Sequence, residues 1–262
     1  MTMIDMTNKR FIITGASSGI GRALALQLAE KNCQVVLNAR RAERLNDLKV
    51  ECDRQGGQSC IVVGDVTDPN CRMAMIETAA EKFGGLDVLV NNAGIGALGR
   101  FIDADEQRLR RLMEVNFFAP AELTRAAVPL LEKSAQGTVV NIGSVLGHRA
   151  VPLKSEYCAS KFAIHGLSDA LRCELNERNI HVLLVSPSTT ASEFFDNVID
   201  KGDSAYKKMS NAKSPEYVAR RTIKAIEKQQ DEIILSWSGW SLVMLDRIWP
   251  WLANRMVNRF AK

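Results

Sequence analysis

The 262-residue chain is 46% hydrophobic and 24% charged, with a formal net charge of +4. This is the composition of an ordinary globular protein with a sizeable core, not of a disordered chain or a small stapled scaffold. Basic residues are interspersed with acids except in the last stretch, so nucleic-acid binding gains no support. The 6 cysteines form no CxxC pair and the 3 histidines, His148, His165 and His181, have no second ligand at a metal spacing, so no metal site is read and reduced thiols are expected. Residues 1–9 include Asp5 and lack the basic end and apolar core of an export signal, which points to the cytoplasm.

Along the chain, short apolar runs alternate with segments of helical period. Strands are expected over residues 10–14, 34–38, 59–63, 86–91, 137–142, 181–185 and 232–235, with helices over 19–30, 41–55, 69–83, 105–132, 155–176 and 215–228. No linker composition interrupts this βαβα order, so a single α/β domain is expected: a doubly wound parallel sheet of order 3-2-1-4-5-6 with a seventh strand appended. In such a sheet ligands bind beyond the C-terminal strand ends. The distinctive motifs all fall there.

The first strand runs into Gly15-Ala16-Ser17-Ser18-Gly19-Ile20-Gly21, a glycine-rich turn opening a helix. Glycines let backbone approach a pyrophosphate, and the helix N-terminus offers free N–H groups and partial positive charge. The spacing is G-x-x-x-G-x-G; by itself it also fits close packing of helix on strand. The second strand ends in Asn38-Ala39-Arg40-Arg41, without the carboxylate that would bind the ribose hydroxyls of NAD. Arg40, seconded by Arg41, suits the 2′-phosphate of NADP(H) with forked hydrogen bonds, although Arg41 equally fits the start of a solvated helix with Glu43 and Arg44. Asp65 and Val66 after the third strand, and Asn92-Ala93-Gly94 after the fourth, supply polar groups and small residues for a bound adenosine, or simply turns.

Ser144 follows the fifth strand, and Tyr157 and Lys161 share one face of the helix that begins near Ser155. A phenol titrates near 10, too high for proton transfer at neutral pH, and a neighbouring ammonium is expected to lower it. Ser144 can hold a substrate oxygen. Asn116, inside the long helix, can bind water or backbone and complete a proton path to Lys161.

Singly these are common strings. Together the glycine turn, Arg40, Asn-Asn-Ala-Gly, Ser144 and Tyr-x-x-x-Lys resemble the short-chain dehydrogenase/reductase family over nearly all of the chain up to about Leu235. The resemblance implies a Rossmann fold, often a homodimer or homotetramer, and a tetrad of Asn116, Ser144, Tyr157 and Lys161. Lys161 would also hold the nicotinamide ribose, and hydride would pass between nicotinamide and a carbonyl carbon while Tyr157 moves the oxygen's proton. After the sixth strand the family's Pro-Gly and later threonine become Pro187-Ser188 and Ser192, so contact of Ser192 with the carboxamide is weakened and the backbone at Ser188 is expected to differ.

All four tryptophans lie in the final stretch, residues 236–262, with Arg247, Arg255, Arg259 and Lys262. The uncharged run from Ile233 to Leu245 is shorter than the roughly 20 residues of a membrane span. The segment reads as an amphipathic extension, either lying on a membrane surface or forming a subunit contact or a flap over the active site. Phe194, Phe195, Val198, Ile199, Tyr206 and Met209 form an apolar substrate loop. The expected reaction is NADPH-dependent reduction of hydrophobic ketones, or oxidation of the secondary alcohols. The competing readings are a nucleotide-sensing protein that keeps the fold without catalysis and a membrane-peripheral lipid-modifying reductase.

Overall fold

The structure is a computed structural model and describes residues 3–191, 193–195, 198, 199 and 212–258. Ser192, Tyr206, Met209, Arg259 and Lys262 lie outside the described residues. Seven parallel strands form one sheet in the order β3-β2-β1-β4-β5-β6-β7. They are β1 (Arg10–Thr14), β2 (Gln34–Ala39), β3 (Gln58–Val63), β4 (Val88–Asn91), β5 (Gly137–Ile142), β6 (Ile180–Ser186) and β7 (Glu232–Ile234). The expected fold, a single doubly wound domain with an appended seventh strand, is the one observed.

Strand periodicity feeds two cores. Phe11 and Ile13 of β1 face α1 (Gly19–Ala29), α2 (Ala42–Arg54) and α7 (Pro215–Glu227), while Ile12 between them faces α3 (Pro69–Phe83), α5 (Ala119–Leu131) and α6 (Ser155–Asn176). Val35 and Leu37 repeat the division against Val36, as do Val88 and Val90 against Leu89. Burial on both faces explains why the strands read as nearly continuous apolar runs. The expected start of the fourth strand at residue 86 moves to Val88, because the Asp87 carboxylate accepts from the backbone N and guanidinium of Arg10 and from the Ser134 hydroxyl.

The single helix expected over 105–132 is three pieces. α4 (Glu106–Met113) passes through a π-helical turn, Glu114–Phe118, into α5. Apolar period does not register one extra residue per turn, yet such turns concentrate at functional sites, and this one holds Asn116. The tail, read as an amphipathic segment, forms α8 (Trp237–Ile248) and α9 (Pro250–Val257), with Ser236 capping the first and Pro250 opening the second. Among the described residues no helix is long and apolar enough to cross a membrane.

Candidate active site

Strand order switches direction between β1 and β4, opening a crevice at their C-terminal ends. The walls are tied tightly. Thr14 Oγ1 accepts from the backbone N of both Asn92 and Ala93 at 3.0 Å, and Asn92 Nδ2 donates to the Thr14 and Gly15 carbonyls at 2.8 and 3.2 Å. Gly15 turns there with φ +66°, and a methyl at Gly21 would sit 2.6 Å from Gly15 O and from Asn92 Nδ2. Glycine is therefore required at both. Ser18 precedes α1 in extended backbone without capping it, and the first helical turn carries no acid. The turn thus offers a pyrophosphate the positive end of a helix with no acid in its first turn. Ile20 packs against the core below.

At the end of β2 the two arginines part. Arg40 is 64% exposed and stands 3.8 Å from Asp65. Arg41 turns inward: Nη2 donates to Ser17 Oγ at 3.0 Å and Ser18 Oγ at 2.9 Å, and Nη1 to Glu193 at 3.0 Å. Arg44, read from sequence as solvated, donates to the same Glu193 carboxylate at 2.6 Å. Arg44 and Arg41 hold that carboxyl below its usual range. Glu193 and the role of Arg44 escape a sequence reading because the contact joins residues 149 apart. Asp65 closes a local turn by accepting from Thr67; burial pushes its carboxyl up, but Thr67 and Arg40 bring it below the ordinary value. Val66 is buried in the second core, with its carbonyl taken by Arg72.

Ser144, Tyr157 and Lys161 meet at the ends of β5 and α6. Tyr157 faces the Ser144 side chain, which pulls its phenol pKa downward, and Ser144 Oγ accepts from Leu146 N at 3.1 Å. Lys161 Nζ, on a side chain buried at 6% exposure, lies 5.8 Å from the Tyr157 ring centroid and donates to Ile142 O at 2.9 Å. Asn116 spans the gap to the fourth strand's loop: Oδ1 accepts from Ile95 N, and Nδ2 donates to Ile95 O and Ser160 Oγ, each at 2.9 Å. Its amide is engaged by backbone, as expected, and by Ser160, which the sequence did not mark. Gly94 lies against both residues: a methyl there would be 3.2 Å from Asn116 Oδ1 and 3.8 Å from Lys161 Nζ.

Burial governs the electrostatics of this pair. Burial pushes the Tyr157 phenol well above its ordinary value, outweighing the downward pull of Ser144, and burial pushes Lys161 down to about 8. Lys161 is pushed down because burial strips water from its ammonium, which keeps the Ile142 carbonyl as its hydrogen-bond acceptor.

Two further features border this centre. Phe194 stacks at a tilt 5.8 Å from Tyr157, and Phe194 and Val198 press on Gly96, so the described part of the substrate loop is an apolar wall. Ser188 does not have the positive φ that would demand glycine. Its loop is bound to the serine loop through Val145 N to Pro187 O at 3.0 Å.

Residues 9–202 match the short chain dehydrogenase family. An uncharacterized oxidoreductase, YxnA, of Bacillus subtilis is 32% identical over 95% of this chain and 71% of its own. The dehydrogenase/reductase SDR family member 7B of Bos taurus is 34% identical over 87% of this chain and 74% of its own. A short chain dehydrogenase/reductase of Burkholderia phymatum, solved in complex with NAD, has the same fold at TM-score 0.85 and 24% identity, over 94% of this chain and 95% of that one. An alcohol dehydrogenase of Thermococcus sibiricus, complexed with 5-hydroxy-NADP, follows at 0.77 and 24%, over 87% and 95%. With its sheet, glycine turn and match over most of its length, the chain belongs to the short-chain dehydrogenase/reductase family of oxidoreductases.

Proposed function

We propose that this protein is an NADP(H)-dependent carbonyl reductase that reduces a hydrophobic ketone to its secondary alcohol. The observation that carries the reading is the convergence of Ser144, Tyr157 and Lys161 at the ends of β5 and α6, with Lys161 Nζ 5.8 Å from the Tyr157 ring centroid and one helical turn away on the same face. The bound nicotinamide supplies hydride to the carbonyl carbon. Ser144 holds the carbonyl oxygen, Tyr157 donates its proton to that oxygen, and Lys161, an ammonium below pH about 8, supports the resulting phenolate. Asn116 keeps α6 registered against the loop after β4, through Ser160 and Ile95.

Preference for NADP(H) rests on Arg40, Arg41 and Arg44 around the end of β2 and on the missing carboxylate there. Gly15, Ser17, Ser18, Gly19, Ile20 and Gly21 take the pyrophosphate side, Asp65, Val66, Asn92, Ala93 and Gly94 the adenosine side, and Tyr157, Lys161 and Ser192 the nicotinamide side. An apolar substrate is supported by Phe194 beside Tyr157 and by α8, whose Gly239 presses on Val145 next to Ser144.

The tail favours a second property. Trp237, Ile248, Trp249 and Trp251 are 79%, 63%, 54% and 64% exposed, beside the exposed Arg247 and Arg255. Tryptophan with arginine is the pairing of an interfacial helix, and we assign these helices to an anionic lipid surface from which an apolar ketone would be drawn. Self-association into a homodimer or homotetramer is supported by Phe118 and Phe162, exposed beside and on α6.

Tyr157→Phe tests the catalytic reading. It is expected to lower ketone turnover by at least about 100-fold with NADPH affinity changed less than about threefold. Retained turnover would remove Tyr157 as proton donor, and absent turnover of any carbonyl by the unaltered chain would favour a nucleotide-sensing protein.

A further inference from the structure

Three side chains far apart in sequence converge on the side of α6 that runs on from the catalytic pair. His165 lies one turn beyond Lys161, His148 follows the Ser144 turn, and Glu232 begins β7. One ligand atom from each lies within 4.8 Å of the others. The imidazole rings of His148 and His165 are 4.2 Å apart between centroids. We propose that His148, His165 and Glu232 bind a divalent transition-metal ion of zinc's class, tying the serine turn, α6 and β7 together behind the active site.

The hydrogen bonding supports lone pairs rather than a closed network. His165 Nδ1 lies 3.1 Å from Gly147 O, a backbone acceptor, which places the proton on Nδ1 and leaves Nε2 as a lone-pair donor to metal. A histidine ligand whose other nitrogen is anchored on a carbonyl is the usual arrangement in metal sites. His148 has a side chain only 2% exposed, and its Nδ1 is a buried polar atom without a partner. Its Nε2 is approached at 2.9 Å by both Ser186 Oγ and Glu232 Oε1, yet Glu232 Oε1 lacks a geometrically sound hydrogen bond. A metal ion held between His148 Nε2, His165 Nε2 and Glu232 Oε1 would give the buried carboxylate oxygen the partner it lacks.

Tetrahedral zinc with nitrogen and oxygen ligands near 2.0–2.1 Å sets ligand atoms about 3.3 Å apart, so side-chain adjustments within the observed spacing suffice. A cavity of about 240 Å³ beside the cluster, bordered by Phe162, Val243 and Arg247, admits water as the fourth ligand. Asp169, 3.4 Å from His165 Nε2 and bound to Arg172, adds negative charge at the rim. Two neutral imidazoles and a carboxylate favour zinc, cobalt or copper over magnesium, which prefers an all-oxygen shell.

The test uses the full chain without a histidine tag, stripped with chelator and then equilibrated with Zn2+. One zinc per chain is expected to survive buffer exchange and to raise the thermal midpoint, with no effect of Mg2+. His165→Gln and Glu232→Gln are each expected to weaken zinc binding at least about tenfold. Co2+ on the unaltered chain is expected to give the visible band of a four-coordinate ion without a thiolate charge-transfer band, a readout independent of whether the variants fold. No retained zinc, unchanged binding in both folded variants, or a thiolate band from a site at the cysteines would overturn the proposal.

Discussion

Replacing Arg41 by glutamine removes a guanidinium that reaches both the phosphate turn and Glu193. A charge-assisted hydrogen bond from Arg41 to a 2′-phosphate contributes about 1.5–3 kcal/mol. Binding must first displace the Glu193 carboxylate, whose pair with Arg41 has side chains 39% and 43% exposed and is worth about 0–1 kcal/mol at such exposure. The net is about 1–2 kcal/mol, so the Kd for NADPH is expected to rise about 5- to 30-fold. NADH, lacking that phosphate, is expected to change less than about threefold. Glu193→Gln should act in the opposite sense, tightening NADPH up to about fivefold and leaving NADH alone. Both constants are measured by fluorescence titration at one ionic strength, since screening erodes such contacts. Equal weakening of both cofactors would make Arg41 merely a brace for Ser17 and Ser18, and weaker NADPH binding in Glu193→Gln would refute the competition.

Three further outcomes are expected. Gly21→Ala forces a methyl to within 2.6 Å of the Gly15 carbonyl; overpacking of about 1–3 kcal/mol should weaken NADPH and NADH alike, and undiminished binding in either titration would contradict the turn geometry. Burial pushes the Asp87 carboxyl up, but hydrogen bonds from Arg10 and Ser134 prevail and hold it at about 2, against an ordinary value of 3.8. The unfolded chain therefore binds the extra proton between these values, so about 2 kcal/mol is present in full above pH about 4 and lost as pH falls through about 2; urea unfolding should show this acid slope flattened in Asp87→Asn. Trp249→Ser with Trp251→Ser should abolish flotation with anionic vesicles while leaving ketone reduction in solution intact, whereas a change in oligomeric state alone would identify a subunit contact.

Sequence made the sheet legible because strands buried on both faces announce themselves as apolar runs, and the turn after β1 because Gly15 and Gly21 occupy positions where only glycine fits. Local pattern is silent on which side chain a surface arginine meets. Arg40 and Arg41 are adjacent in sequence but face Asp65 and Glu193, and the second partnership spans 152 residues. The same applies to the histidines, which the turn after β5 and the helix α6 bring to Glu232 of β7, one strand beyond β6. The π turn at Asn116 was hidden for a different reason: a single widened turn leaves the apolar stripe on either side intact.

The bonds from Gly143 N to Val185 O at 2.8 Å and from Val145 N to Pro187 O join the Ser144 turn directly to the loop carrying Ser188. On the proposed function, a change on either loop would be felt at both the reacting oxygen and the nicotinamide. Variation at the site is thereby steered toward surfaces outside that pair of loops, such as the wall at Phe194 and Val198.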